Sequence, residues 1–494
     1  MVMGECFSLM KHSPFFIPKK IYFFMLTTFF EAFQNFNTFL WNWILAGLLI
    51  ALGLYFTIQT RGAQFRFLSR IPALFRSQVQ DREKQGLTPA EAFFISTGAR
   101  VGVGNIAGIA LAITTGGPGA IFWMWVCALI GAASGFLEST LAQLYKRPDG
   151  QGGFSGGPVA YIRYGLKSPW ASIVFAFLLA LADGLIFNSV LSNTVALQMK
   201  EAFNWPTYWS GALLAAYAIF IALSGTKSLG RFSSRIVPFM IAAYFFLVAV
   251  CAILYWERIP LVFSRILTEA FQPDAALGAS LWFVIMTGVR RGLYSNEAGQ
   301  GTVPNVAATA NAQHPCDQGV IQAFGVYVDT IFVCTLTAIL ILVLPETRTG
   351  TRTGIELVIY LLQTHLGTWA AHLLFTIVLF FALTSIIGNF LYSDIALKEV
   401  TKCPRLSALF RTAVIAMIFF GAQWPLTFVW SLADFFLGIM VVTNSIALIA
   451  LGPKVYRLLK HYRKELRQKG RPSFVANEVF TDPEKEGIVC WPHK

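Results

Sequence analysis

The chain has 494 residues, 56% hydrophobic, 15% aromatic and only 13% charged, with a mean hydropathy of +0.60 and a formal net charge of +13. Soluble domains carry about one quarter charged residues, so this balance excludes an ordinary soluble protein and points to a polytopic membrane protein. The positive charge does not call for nucleic acid, because it falls along the loops in a topological pattern.

Residues 1–39 read as an N-terminal extension outside the mature or native chain. Its apolar piece Ile21–Phe30 is too short to span a bilayer and follows Lys19 and Lys20, like a signal-peptide core without a small-residue cleavage site; translation starting at Met25 is the preferred reading and a signal peptide the alternative. Windows apolar enough to cross a bilayer follow at about 40–59, 92–114, 120–144, 170–198, 208–224, 236–256, 278–309, 319–345, 368–396, 406–422 and 426–452. The expected fold class is an all-α polytopic membrane protein with about eleven transmembrane helices.

If the loop after the first window is cytoplasmic, that side collects the basic runs Arg61 to Lys84, Lys146 to Lys167, Lys227 to Arg235 and Lys398 to Arg405, and the basic tail 453–494. The positive-inside rule then puts the N-terminus outside and the C-terminus in the cytoplasm. The stretch Lys454 to Arg471 reads as a membrane-surface helix.

The window 92–114 contains Gly98-Ala-Arg-Val-Gly-Val-Gly-Asn-Ile-Ala-Gly108. Glycine costs about 1 kcal/mol relative to alanine inside a helix, and a charge at mid-bilayer costs roughly 2.5 to 3.5 kcal/mol, so a continuous lipid-facing helix is excluded here. Non-helical backbone at membrane depth survives only when it is buried in protein or lines a cavity. Five windows later, Thr287-Gly-Val-Arg-Arg-Gly-Leu-Tyr-Ser-Asn-Glu-Ala-Gly-Gln-Gly-Thr-Val-Pro304 repeats the pattern. Two interrupted spans in corresponding positions of two halves point to an inverted-repeat secondary transporter, with its site between the breaks.

Other motifs carry less. Gly102, Gly104 and Gly108 miss the G-x-G-x-x-G spacing by one residue and lack a strand-turn-helix context. Gly153-Phe-Ser-Gly-Gly157 matches the nucleophile-elbow pattern, yet it lies in a loop with no histidine nearby to act as base. Neither the six histidines nor the seven cysteines have metal-ligand or disulfide spacing.

The quoted residues also carry a resemblance. Val101-Gly-Val-Gly-Asn-Ile-Ala-Gly108, Gly116-Gly-Pro-Gly-Ala-Ile-Phe-Trp-Met-Trp125, Gly156-Gly-Pro158, Ser295-Asn-Glu-Ala-Gly299 and Val328-Asp-Thr330 resemble the sodium:alanine/glycine symporter family, AGCS, over about residues 40–455. The resemblance implies a leucine-transporter fold: an extra helix at 40–59, a first repeat of five core helices at 92–256 and an inverted second repeat at 278–452. It further implies a symporter that takes up alanine and glycine with sodium by alternating access across a prokaryotic cytoplasmic membrane. Sodium is then the coupling ion, and no organic cofactor is expected. Proton coupling, another amino-acid specificity, a channel and an integral-membrane enzyme are the competing readings.

For the site, the half-helix after the first break should offer N–H groups at Gly104, Asn105 and Ile106 to a substrate carboxylate, with Gly102 and Gly104 letting a small substrate reach the backbone. The opposing half-helix supplies carbonyls for the ammonium and sodium. Ser295, Asn296 and Glu297 are candidates from the second break; a salt bridge from Glu297 to Arg290 or Arg291 is the alternative for that carboxylate. Asn193, with Asp183 and Asn188, offers polar groups from the span 170–198. By resemblance, Thr384 and Ser385 hold sodium together with the carbonyls of Gly98 and Val101; Arg100, and Asp329 and Thr330 as polar groups within an apolar span, are coupling candidates. Three residues depart from the family pattern: Tyr294 stands where phenylalanine is usual, Leu191 where glutamine is frequent, and Arg100 where the better-known motif has threonine. An arginine stays charged at physiological pH and cannot shuttle a proton.

Overall fold

A computed structural model describes residues 31–76, 86–150, 152–271, 280–345, 352–424 and 426–492. In chain order the main helices are α1 (Glu31–Gln59), α2 (Pro89–Arg100), α3 (Gly104–Gly116), α4 (Gly119–Leu144), α5 (Pro169–Glu201), α6 (Thr207–Leu223), α7 (Thr226–Leu254) and α8 (Ile259–Glu269). They continue with α9 (Leu281–Asn296), α10 (Pro304–Thr309), α11 (Pro315–Val343), α12 (Gly354–Leu366), α13 (Thr368–Val400), α14 (Pro404–Gly421) and α15 (Leu426–Lys469). A two-stranded antiparallel ribbon pairs Arg147 with Ser155 and Pro148 with Phe154.

Among the described residues eight helices are long and apolar enough to cross a membrane, and nine when α2 and α3, bent by 49°, count as one span. The all-α polytopic class is therefore the observed one. Each of the eleven apolar windows holds a helix; those outside the nine are α6, at 17 residues, and the interrupted pair α9 and α10. Large apolar side chains such as Phe220, Leu223 and Ile253 stay exposed, as a lipid-facing belt requires.

Three features differ from the sequence reading. Residues 1–30 lie outside the described residues, but α1 starts at Glu31 rather than near 40. Its polar first turns are accommodated by α15: Asn37 Nδ2 donates to the Ser431 carbonyl at 2.8 Å, and Trp41 Nε1 to the Asp434 carbonyl at 3.0 Å. The helices α8 and α12 were not anticipated, because helices of 11 and 13 residues fall below the length of a span. Finally, the basic stretch after 453 is no separate surface helix. It continues α15 through Pro453, so 44 residues form one rod of about 66 Å, well beyond a bilayer of roughly 40 to 45 Å. The following segment folds back, and Trp491 Nε1 donates to the Gln143 carbonyl at 2.9 Å.

The interior is organised around the two interruptions. Helices α7 and α13 pack on α2, while α4 is lined by α9, α10 and α11. The hydrogen-bond register widens to a π-helix at 104–108, 180–187 and 327–334, in α3, α5 and α11. Such turns occur frequently at functional sites, and the first and third are in contact just after the first break.

Candidate substrate and ion site

The first break is built locally. Thr88 opens α2 with a capping box: its hydroxyl accepts from the Glu91 N–H at 3.1 Å and Glu91 accepts from the Thr88 N–H at 2.9 Å. The helix ends at Arg100, where Val101 swings to ψ 78°. Asn105 then turns back and its Oδ1 accepts the Gly102 N–H at 3.0 Å. A Cβ at 102 would lie 2.6 Å from the Ser385 hydroxyl, so any larger residue there would displace that hydroxyl.

The expected row of three N–H groups is only partly available. Those of Asn105 and Ile106 donate to the carbonyls of Gly102 and Val103, at 3.1 Å each, because the half-helix closes with tight turns at its start. The Gly104 N–H is not one of the donors used in these opening turns. Gly104 itself faces Tyr294 of the other interrupted span, whose ring would be 2.9 Å from an added Cβ.

The second break is a loop between α9 and α10. Glu297 takes φ +56°, and Gly299 and Gly301 take +81° and +82°, values at which glycine avoids the Cβ strain. The loop is clamped by Glu138, a fully buried carboxylate on α4. Glu138 accepts the N–H groups of Gly299 at 3.2 Å and Gly301 at 3.1 Å, and the amide of Asn444 on α15 at 2.9 Å. The far end of α10 is capped in turn: Gln143 Nε2 donates to the Ala310 carbonyl at 2.9 Å and Lys146 Nζ to the same carbonyl at 3.2 Å.

Asp329, in the π-helical turn of α11, joins the two breaks. Its Oδ1 accepts from Asn105 Nδ2 at 2.6 Å, and its Oδ2 accepts from the hydroxyls of Ser295 at 2.6 Å and Thr330 at 2.9 Å. Asn296 Nδ2 extends the cluster to Thr330 at 3.2 Å. Among the described residues this buried carboxylate has three neutral donors and no bonded cation, so the cluster suits a visiting ammonium or metal ion. Cys334 completes the wall, its sulfur 3.1 Å from the Ser295 hydroxyl.

A second oxygen cluster lies on the other side of the first break. The Ser385 hydroxyl donates to the carbonyls of Gly98 at 3.1 Å and Ala99 at 3.0 Å. Thr384 bonds back to its own helix, at the Phe380 and Phe381 carbonyls, though its Cβ would sit 3.2 Å from a Cβ at Gly98. The set is hard oxygen, which fits sodium rather than a soft metal.

This architecture has relatives. Residues 26–476 match the sodium:alanine symporter family. The chain belongs to that family. It is 41% identical to the probable sodium/glutamine symporter GlnT of Bacillus subtilis (strain 168), over 92% of this chain and 95% of that one. The amino-acid carrier protein AlsT of the same organism is 39% identical over 92% of this chain and 97% of its own length. The putative sodium/proton-dependent alanine carrier protein YrbD, also from that strain, is 36% identical over 92% and 95%. The chain is thus a multi-pass membrane transporter and not an enzyme.

Within this family member, Gly102, Asn105, Ser295, Asn296, Asp329 and Thr330 form one connected group, and Gly98 and Ser385 form another. Val101 is buried beside them, but its carbonyl is not one that Ser385 touches; Ala99 takes that place. Glu297 receives the Thr302 hydroxyl at 2.7 Å. The salt bridge considered for it goes elsewhere, since Arg290 and Arg291 lie 3.8 and 3.9 Å from Asp434. Asn193 is engaged apart from both groups, donating to the carbonyls of Gly421 at 3.0 Å and Trp424 at 2.7 Å, and Asn188 bonds to the Gly184 carbonyl. Arg100 is buried, with Nη1 donating to the Gln322 carbonyl at 3.3 Å, while among the described residues its Nε and Nη2 have no partner. Among the described residues its charge acts on the carboxylates of Glu138, Glu297 and Asp329.

Sequence reasoning passed over Glu138, Asn444 and Ala99. The signal for Glu138 was present: a carboxylate in the middle of an apolar span is by default a functional candidate. Ala99 contributes only a backbone oxygen and left no signal.

Proposed function

We propose that this transporter is a secondary active symporter that takes up small neutral amino acids, alanine and glycine, together with sodium, by alternating access. The convergence of Asn105 and Ser295, one from each interrupted span, on Asp329 carries the reading. In it, the substrate carboxylate meets the Gly104 N–H and the positive end of α3, and the ammonium and a sodium ion share Asp329 and the unwound carbonyls. A second sodium binds among Gly98, Ala99, Thr384 and Ser385. The close packing of Gly102 against Ser385 and of Gly104 against Tyr294 favours a substrate with little side-chain volume.

The same reading has residues 92–256 and 278–452 as inverted repeats of the leucine-transporter kind, with α1 in front. The basic loops put the C-terminus in the cytoplasm and the N-terminus outside, in the cytoplasmic membrane. Arg100 supplies a permanent cation to the three buried carboxylates, which lowers the number of mobile cations the site needs. A glutamine substrate is the second reading, favoured by what the 41% identical relative is named for; proton coupling is the other, from the name of the 36% identical one.

Purified protein in proteoliposomes, loaded in turn with sodium and proton gradients and offered labelled alanine, glycine or glutamine, tests all three. Sodium-driven accumulation of alanine is expected, and Ser385→Ala should raise the sodium concentration for half-maximal uptake at least tenfold. Accumulation of none of the three under either gradient would refute symport.

A further inference from the structure

At the end of α1 lies a groove of about 980 Å3 that the transport site does not use. Arg61 and Arg66 line one wall, from the turn after α1; Arg457, Lys460, Lys464 and Arg467 line the other, on the distal part of α15. The spacing 457, 460, 464, 467 places the last four on one helical face, where like charges three and four residues apart repel. All six are exposed, and among the described residues none has a carboxylate within ion-pair distance. The acids there are engaged: Glu465 pairs with Lys469 at 2.8 Å, and Glu478, which lines the groove beside the basic residues, is hydrogen-bonded to His461 at 3.1 Å. Such a cluster is held together at a cost unless an anion occupies it.

The setting says which anion. The groove begins at Gln59, the last residue of α1, so it opens where a bilayer surface would meet that span. The two preceding turns of α1 expose Leu54, Tyr55 and Ile58, the last at 72%. A ligand that fits has an anionic head for the groove and apolar chains for that surface. We propose that the groove binds the phosphate headgroup of an anionic phospholipid, with Arg457, Lys460 and Lys464 as its principal contacts and the acyl chains along Leu54 and Ile58.

The test uses the full chain in neutral detergent and native mass spectrometry, titrated with phosphatidylglycerol, with phosphatidylcholine, and with soluble pyrophosphate. Phosphatidylglycerol should be retained and phosphatidylcholine should not. In the variant Arg457→Gln/Lys460→Gln/Lys464→Gln, retention should fall roughly a hundredfold, at about fivefold per basic residue lost. Arg457→Lys, which keeps the charge, should hold near the wild-type value, and monodisperse elution with wild-type amino-acid uptake shows that the triple variant is folded. Equal retention of phosphatidylglycerol by the wild type and the triple variant would overturn the site. Binding of pyrophosphate without retention of phosphatidylglycerol would overturn the lipid assignment and leave a soluble anion as the ligand.

Discussion

Removing the Glu138 carboxylate tests whether the second break is a held structure or a slack loop. Three donors converge on it, the N–H groups of Gly299 and Gly301 and the Asn444 amide, at 3.2, 3.1 and 2.9 Å. In Glu138→Ala all three lose this acceptor inside a buried site, at about 1 to 3 kcal/mol each, or roughly 3 to 9 kcal/mol together. That is comparable to the whole stability of a typical fold, so this variant should melt far below the wild type or fail to assemble. Glu138→Gln is the finer probe. Its single oxygen serves Gly301 and Asn444 or serves Gly299, and its NH2 then confronts whichever N–H remains, a loss of about 1 to 3 kcal/mol. Since about 1.4 kcal/mol is a factor of ten, the ratio of ordered to disordered break should drop about five- to 150-fold, lowering the melting temperature, with initial uptake falling as the disordered form becomes populated. The assay is thermal unfolding of detergent-purified protein beside alanine uptake in proteoliposomes. A Glu138→Ala protein that melts and transports as the wild type does would refute the clamp.

Two further outcomes follow from the same geometry. Asn105→Ala strips the Gly102 N–H and Asp329 Oδ1 of their partners, so a scintillation binding assay should find alanine affinity nearly abolished in a protein that still elutes as folded; unchanged affinity removes Asn105 from the site. His314, the residue before α11, is fully buried and accepts the Cys316 N–H on Nδ1, and burial first, with His461 second, holds its pKa well below 6.5. The unfolded chain titrates near 6.5 and so binds the proton more readily, which means the contribution is intact above that pH and is lost as pH falls below it, by about 1.4 kcal/mol per unit. Melting measured at pH 7.5 and 5.5 should therefore show a larger acid-induced drop in the wild type than in His314→Asn; identical drops would rule the histidine out.

The two interruptions were legible because glycine, charge and asparagine in an apolar run violate what a bilayer permits, whatever the rest of the chain does. The windows were legible for the same reason of composition. Asn105 was legible as a site residue but not in its role: its side chain turns back three residues to Gly102 while reaching Asp329, 224 positions away. Glu138 could have been flagged as a buried charge, yet its meaning depends on Gly299 and Gly301, whose N–H groups become unpaired only once the second break forms. The basic stretch after Pro453 shows the reverse case, where a plausible local reading, a helix lying on the membrane, gave way to one continuous rod anchored by its neighbours.

By itself, then, the sequence determined the solvent, the class of fold and the two places where helices must stop, because burial of backbone and charge in lipid is a local penalty paid residue by residue. The tertiary structure alone decided which groups meet at those stops: Asp329 between Asn105 and Ser295, Ser385 against the carbonyls of Gly98 and Ala99, and Glu138 under the second loop. Those pairings join helices far apart in the chain, and only packing selects among the many partners that composition allows.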